Sequence, residues 1–312
     1  MKTKMSEVPL VRDVFAIYLS KESVLRSWSD ATLRCYGAAG RMLLTFNRSL
    51  RIDGLGRREM EELYLSFARR ELSNRSIKYY FTLLSTFLRW AEREGYPVDG
   101  SWKDFKPRLK LAPKAVVWLN PDELGALMRL PRRGWTAAKR AVADYFLLSC
   151  FTGLRASDLK RLRWCDVRDG SIRIVTSKTA ASITVELNRF SREIIGRQKG
   201  CDGESGFLMP RADLAAANGV LKQIALEAGL TAPVASVTYR SGGKRIERVH
   251  PKWQEISMHC GRRTFICNAL ALGISPLVVM RWTGHRNFAS LKPYIDISDA
   301  EKATAMARFD SL

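Results

Sequence analysis

The sequence predicts a mainly helical α+β protein: an N-terminal helical bundle, followed by a mostly helical domain with a small antiparallel sheet. Helical periodicity dominates the first third of the chain, and short β-branched runs around turns follow later. The 312 residues are also enough to bury two hydrophobic cores. We expect residues 1–98 to form the bundle, residues 99–115 a basic linker, and residues 116–312 the second domain.

Four helical patterns support the bundle. The strongest covers residues 73–96, where apolar residues recur at the i, i+3, i+4, i+7 spacing of one buried helix face. Asp30 is predicted to cap a second helix, and weaker patterns cover residues 8–19 and 57–69. Four helices of this length indicate a small bundle.

The linker is predicted where this periodicity stops, between about residues 95 and 113. Glycine and proline interrupt the segment, and five lysines and arginines charge it. A basic linker would either follow a polyanionic backbone or act as a solvated hinge, and the sequence favours neither.

The second domain begins with a helix start signal at Asn120-Pro121, followed by acidic residues. Residues 137–151 are apolar enough for a buried helix. Two hairpins are predicted, one from residues 171–176 and 182–187, the other from residues 237–249.

The chain from His259 onward is predicted to be helical. A short terminal helix capped by Ser298 or Asp299 would carry Met306 and Phe309 on its apolar face. Such a face would pack either on its own domain or on a neighbouring copy.

The net charge of +21, from 52 Lys and Arg against 31 Asp and Glu, indicates a polyanionic partner. Both halves of the chain are basic. Nucleic acid is the leading candidate, because Lys and Arg release counterions from phosphates; an acidic membrane surface and a ribosomal role are the alternatives. The candidate DNA contacts are Arg75, Lys78, Lys103, Lys106 and Lys244.

Several other classes are disfavoured. The six cysteines contain no CxxC pair, which argues against a zinc ribbon, and no carboxylate cluster suggests a metal site. No apolar run reaches the length of a membrane span or resembles a signal peptide. We therefore expect no metal, no cofactor and a reducing, cytoplasmic setting.

Four short motifs carry the chemistry. Gly153-Leu154-Arg155 is followed by the HxxR motif of His259 and Arg262, then by Gly284-His285, and Tyr294 stands nine residues later. Each alone is common in helices and caps. Their order and spacing on a basic chain favour one shared site.

This order, with a hairpin lysine between the first two motifs, resembles the tyrosine recombinase (phage integrase) family. The match is strongest over residues 262–294 and extends over about 140–300. The bundle resembles the family's core-binding domain only in length and helical character. Residues 250–265 also resemble integrases of mobile elements from gut-type anaerobic bacteria.

Three positions depart from the family pattern. Arg263 replaces the usual histidine, and Asp158 stands where glutamate is more common. Pro293 directly precedes Tyr294, and proline disfavours helix in the residue before it. We therefore expect Tyr294 to begin a helix rather than lie within one.

The resemblance implies the roles of the site residues. Tyr294 would attack phosphorus and form a 3′-phosphotyrosine. Arg155 and Arg262 would hold the non-bridging oxygens, because guanidinium groups bind phosphate through paired hydrogen bonds. His285 would add a phosphate hydrogen bond, and His259 would act as the base toward the tyrosine.

Two further assignments are less direct. The family's general acid is a lysine on a tight turn between strands, which matches Lys178, with Lys244 in the second hairpin as its rival. Asp158 would orient Arg155 or His259, or would be an ordinary acid near a helix start.

The resemblance also implies the partner and the reaction. The protein would recombine double-stranded DNA at specific core sites, as a homo-tetramer on paired sites and a monomer in solution, with or without accessory DNA-bending proteins. Integration, excision, inversion and resolution stay open, although we expect an enzyme without distant arm sites. A type IB topoisomerase and a non-catalytic DNA-binding protein of the same fold are the alternatives.

Overall fold

The computed structural model describes residues 8–113, 115–198, 206–210 and 213–295. The chain forms two compact units: residues 1–114 with 236–248, and residues 115–235 with 249–312. The first unit thus includes a segment from the second hairpin. The predicted domain limits at 98 and 115 stay a prediction.

The first unit contains the four predicted helices around one aromatic core. Tyr18, Phe67 and Phe87 are fully buried there. One capping residue differs from the prediction: the Ser29 hydroxyl, not the Asp30 side chain, accepts the Thr32 amide, so Asp30 is the first helical residue. The helices are α1 (Val11–Leu25), α2 (Asp30–Phe46), α3 (Arg57–Arg69) and α4 (Asn74–Arg93).

The segment after α4 packs against the same core. Residues Gly100–Asp104 form a 3-10 helix with Trp102 buried against the bundle. Further along, the Asn74 amide donates to the Lys110 carbonyl at 3.0 Å, and Arg75 donates to the Ala112 carbonyl at 2.7 Å. Side chains of α4 therefore hold most of the segment predicted as a linker.

The second unit is built around α6, whose central residues are almost all buried. The predicted start at Asn120 is confirmed, since its side chain and that of Glu123 form a capping box. The helices are α5 (Pro121–Met128), α6 (Ala137–Thr152), α7 (Ala156–Leu159), α8 (Arg189–Gly196), α9 (Leu214–Glu227), α10 (Lys252–Glu255), α11 (Met258–Ala271), α12 (Pro276–Thr283) and α13 (Lys292–Ile295).

Both predicted hairpins are present. The first joins β2 (Ser171–Val175) to β3 (Ser182–Glu186), and the short β1 (Val167–Arg168) adds a third antiparallel strand beside β2. The second hairpin joins β4 (Pro233–Tyr239) to β5 (Arg245–Pro251). The alternation of Ile183 and Val185 with polar residues places β3 with one face on the core.

Within the described ranges, every helix is too short or too polar to cross a membrane. The predicted terminal helix with Met306 and Phe309 lies outside the described residues.

Candidate active site

Arg155 is placed by a sharp turn at the end of α6. Gly153 adopts the left-handed conformation (φ 70°) that glycine favours at a helix C-terminus. A side chain there would also lie 2.5 Å from the Phe265 ring. The chain then turns through buried Leu154, and Arg155 stands at the N-cap of α7 with its side chain 18% exposed.

Arg262 lies on α11 and is almost fully buried, at 2% exposure. Its guanidinium donates to the carbonyls of Gly153 at 2.8 Å and Thr283 at 2.7 Å. Gly261 allows this close packing, because a Cβ there would lie 3.0 Å from the Phe146 carbonyl oxygen of α6. Arg262 thus joins the α6 turn to the end of α12.

His285 completes this network beyond the left-handed cap Gly284. Arg262 has no acceptor, so the His285 Nε2 accepts its N–H at 3.1 Å. The Thr283 hydroxyl donates to the Val279 carbonyl at 2.5 Å and accepts from His285 Nδ1 at 2.7 Å. These contacts require the neutral Nδ1–H tautomer.

Burial and the neighbouring charges explain the pKa shifts in this network. Burial, then the cations Arg262 and Arg155, lowers the pKa of His285 to about 4, so the ring is neutral at pH 7. Burial and the nearby Arg155 lower the pKa of Arg262 to about 9, which leaves it protonated at pH 7. Two cations held close together and largely dry form a site suited to an anion.

Asp158 joins Arg155 to the β2–β3 turn. This carboxylate is buried, and its Oδ2 lies 3.9 Å from Arg155 Nη1. Its Oδ1 accepts from the Ser177 amide at 2.8 Å and the Ser177 hydroxyl at 2.7 Å. Within the described chain, Arg155 Nη1 is buried without a hydrogen-bond acceptor. Asp158 therefore lies near Arg155 and also binds the turn, and its predicted role of orienting Arg155 or His259 stays a prediction.

The two candidate lysines occupy different settings. Lys178 lies on the β2–β3 turn next to Ser177, with its side chain exposed. Lys244 belongs to the first unit, where its Nζ lies 3.7 Å from the Glu71 carboxylate. Arg240 binds the same carboxylate at 2.5 Å. Only Lys178 therefore adjoins a residue held by Asp158.

The remaining candidates are on α11 and α13. His259 is exposed in the first turn of α11, and its proximity contributes to the low pKa of His285. Tyr294 is half-buried against an apolar cluster that includes Leu291 and Val279. It is close enough to Arg262 that its charged form would raise the Arg262 pKa.

The expectation that Tyr294 begins a helix is wrong in detail. Helix α13 starts at Lys292, so Tyr294 is its third residue. Pro293 is compatible with this because the first turn of a helix needs no backbone donor.

The basic candidates of the first unit differ in their availability. Arg75 is bonded to Ala112, and Lys103 lies 2.8 Å from Glu92. Lys78 is exposed along a groove of about 380 Å³ beside α4. Lys106 is exposed too, without a hydrogen bond or ion pair to the residues described here.

Arg89 is a basic residue that the sequence prediction left out of the candidates. It lines the same groove as Lys78 and a second one that includes Lys106. Its spacing of eleven residues from Lys78, three helical turns, was the available signal.

No group of histidine, cysteine and acidic side chains able to hold a metal occurs among the described residues. The site consists of two arginines, two histidines, one tyrosine, one buried aspartate and a turn with an exposed lysine.

Residues 117–301 match the phage integrase family. None of the curated proteins matches the chain in sequence. A lambda integrase dimer bound to a COC' core site has a similar fold, with a TM-score of 0.71 at 16% identity over 92% of this chain and 95% of that one.

Two further solved structures share the fold. The Tn1549 transposon integrase with a circular intermediate DNA has a TM-score of 0.68 at 16% identity, over 96% of this chain and 99% of that one. A lambda integrase tetramer bound to a Holliday junction has a TM-score of 0.68 at 15% identity, over 90% and 76%. The family match covers more than half of the chain, which therefore belongs to the phage integrase family, the tyrosine recombinases.

Proposed function

We propose that the protein is a site-specific DNA recombinase that cleaves and rejoins DNA through a 3′-phosphotyrosine. One observation carries this proposal: the second unit brings Arg155, Arg262 and His285 together, with Tyr294 within electrostatic range of Arg262. A nucleophile beside paired, largely buried cations suits attack on a phosphodiester.

The two arginines would stabilise the five-coordinate phosphorus. A guanidinium has five N–H donors, and Arg262 uses its contacts to Gly153, Thr283 and His285 to fix its plane. Arg155 Nη1 is buried and has no acceptor among the described residues, so a phosphate oxygen would satisfy it. A preorganised donor of this kind contributes about 10²–10³ in rate.

The proposed reaction conserves atoms and protons. The Tyr294 oxygen forms a bond to phosphorus and gives its proton to His259, while the bond from phosphorus to the 5′-oxygen breaks. Lys178 gives a proton to that oxygen, which leaves as a 5′-hydroxyl. Rejoining reverses each transfer, and the phosphotyrosine conserves the bond energy.

His285 would act mainly by orienting Arg262. Its Nε2 accepts from Arg262 and its Nδ1 donates to Thr283, so both nitrogens are engaged. A hydrogen bond from His285 to phosphate would need the other tautomer and would replace its contact with Arg262.

Double-stranded DNA is the proposed substrate, bound at specific core sites by four copies on paired sites. The net charge of +21 supports this partner. The exposed cations Lys78, Arg89 and Lys106 line grooves beside α4, and we assign contacts with the DNA phosphate backbone to them. Arg75, Lys103 and Lys244 each have a partner within the protein and would contribute less.

The test begins with Tyr294→Phe, which removes only the hydroxyl. This variant would select bound duplexes from a random library, and the unaltered protein would then be trapped covalently on them. We expect a phosphotyrosine adduct with the unaltered protein, none with Tyr294→Phe, and similar DNA affinity for both. An adduct formed by the variant would refute the assignment.

Supercoiled plasmids with and without paired selected sites separate the alternatives. Recombinant products that need paired sites support the proposal. Relaxation without recombination indicates a topoisomerase, and binding without either product indicates a non-catalytic DNA-binding protein.

A further inference from the structure

The β2–β3 turn that carries Lys178 has a well-defined backbone. The Thr176 amide donates to the Ala181 carbonyl at 2.9 Å, and the Ala180 amide donates to the Thr176 carbonyl at 3.0 Å. The hydroxyls of Thr176 and Thr179 lie 2.8 Å apart across the turn. These bonds shape the turn, but they do not by themselves attach its tip to the rest of the site.

Two side chains from outside the hairpin hold the tip, one on each side of Lys178. Asp158 binds the amide and the hydroxyl of Ser177. On the other side, the Arg286 guanidinium donates to the Thr179 carbonyl. Lys178 therefore lies between two anchored neighbours.

Both anchors come from segments that carry predicted catalytic residues. Asp158 stands three residues after Arg155, and Arg286 directly follows His285. The adjoining Gly284 packs on the hairpin beside the turn, since a Cβ there would lie 3.3 Å from the Ile183 side chain. The position of the turn is thereby coupled to both ends of the arginine and histidine network.

We propose that Arg286 is a positioning residue, which holds the β2–β3 turn so that Lys178 can deliver its proton to the leaving 5′-oxygen. This inference rests on the proposed function, because it assumes that Lys178 is the general acid. Arg286 is exposed in the free protein, where a hydrogen bond contributes little. DNA that covers the site would exclude water and strengthen the contact.

The competing explanation is that Arg286 simply contacts DNA phosphate. The two roles predict different behaviour with a substrate whose bridging 5′-oxygen is replaced by sulfur. A thiolate leaves without a proton, so this substrate bypasses the general acid and everything that serves it. It does not bypass a residue that binds phosphate.

The experiment measures single-turnover cleavage of selected duplexes, with oxygen or sulfur at the bridging position, by Arg286→Ala, Lys178→Ala and the double variant. With oxygen we expect Lys178→Ala to lose about 10²–10⁴-fold and Arg286→Ala about 10-fold, because Asp158 still holds one side. With sulfur both variants should cleave like the unaltered protein. The double variant should be no slower than Lys178→Ala.

Arg281→Ala is the matched control. Arg281 is an exposed cation on α12, without a hydrogen bond or ion pair in the part of the chain that the structure describes. Any loss of cleavage caused by its removal should be equal with oxygen and sulfur.

The outcomes separate the role of Lys178 from the role of Arg286. Rescue of Lys178→Ala without rescue of Arg286→Ala supports the general acid and overturns the positioning role. If sulfur rescues neither variant, the assignment of Lys178 as acid fails, and the inference fails with it. Weaker DNA binding by Arg286→Ala than by Arg281→Ala, with an equal loss on both substrates, identifies a phosphate contact instead.

Discussion

Asp158→Ala should lower both the stability of the protein and its cleavage rate, because one buried carboxylate connects Arg155 to the β2–β3 turn. The Asp158 side chain is 1% exposed, and its Oδ1 accepts two hydrogen bonds from Ser177. Alanine removes this acceptor, so both hydrogen bonds are lost and the Ser177 amide is left without its partner. It also removes the carboxylate nearest to the partly buried Arg155 cation.

The size of the effect follows from these contacts. Hydrogen bonds to a charged group contribute about 1.5–3 kcal/mol each, and breaking a buried ion pair costs about 3–5 kcal/mol. Arg155 Nη1 lies 3.9 Å from Asp158 Oδ2, and the Arg155 side chain is 18% exposed, so the cost should lie at the lower end of the range for a buried ion pair. We expect the free energy of unfolding to fall by about 3 kcal/mol and the melting temperature by about 6–12 °C.

Thermal unfolding followed by circular dichroism, together with single-turnover cleavage, tests this expectation. Asp158→Asn keeps one acceptor oxygen, so its free energy of unfolding should fall by only about 1 kcal/mol. Asp169→Asn is the control: Asp169 is 80% exposed beside Arg173, at a left-handed backbone position (φ 49°) that asparagine tolerates, so the change should alter stability by less than about 0.5 kcal/mol. If Asp158→Ala melts and cleaves like Asp169→Asn, the expectation is wrong.

Three further predictions follow from the same unit. Gly261→Ala should lower stability by about 1–3 kcal/mol, because the new methyl would lie 3.0 Å from the Phe146 carbonyl oxygen; Gly219→Ala on α9, with open space around it, should be neutral or stabilising in the same melts. Arg262→Lys should slow covalent trapping by about 10²–10³, since an ammonium does not reproduce the planar guanidinium contacts; trapping at the original rate would contradict the assignment. The pKa of His285 is lowered to about 4, so the unfolded chain takes up this proton first as pH falls from about 6.5 to 4, and stability is lost over that range. His285→Gln lacks this titrating group, so the difference in free energy of unfolding between the variant and the unaltered protein should shrink as the pH falls, as measured by denaturant titrations. A difference that stays constant with pH would contradict the lowered pKa of His285.

Much of the fold was predictable because its signals are local. Helix α3 has the predicted bounds, and the Asn120 capping signal marks the start of α5. Both β-branched pairs form hairpins. The cap at Asp30 was wrong by one residue, because Ser29 offers an equally good acceptor one position earlier.

The site was predictable as a set of residues but not as a set of contacts. The order of the motifs identified Arg155, Arg262, His285 and Tyr294 as candidates. Nothing in that order says that His285 accepts from Arg262, or that its other nitrogen is held by Thr283. These details depend on how α11 and α12 pack against each other.

The sequence by itself determined the helices, the hairpins, the basic charge and the family, since each rests on residue types and short spacings. Only the tertiary structure decided which side chains position the catalytic candidates. Asp158 meets Ser177 across 19 residues of sequence, and Arg286 meets Thr179 across 107. Periodicity shows which face of an element is buried. It does not identify the element that packs on that face, because packing joins segments that are distant in the chain.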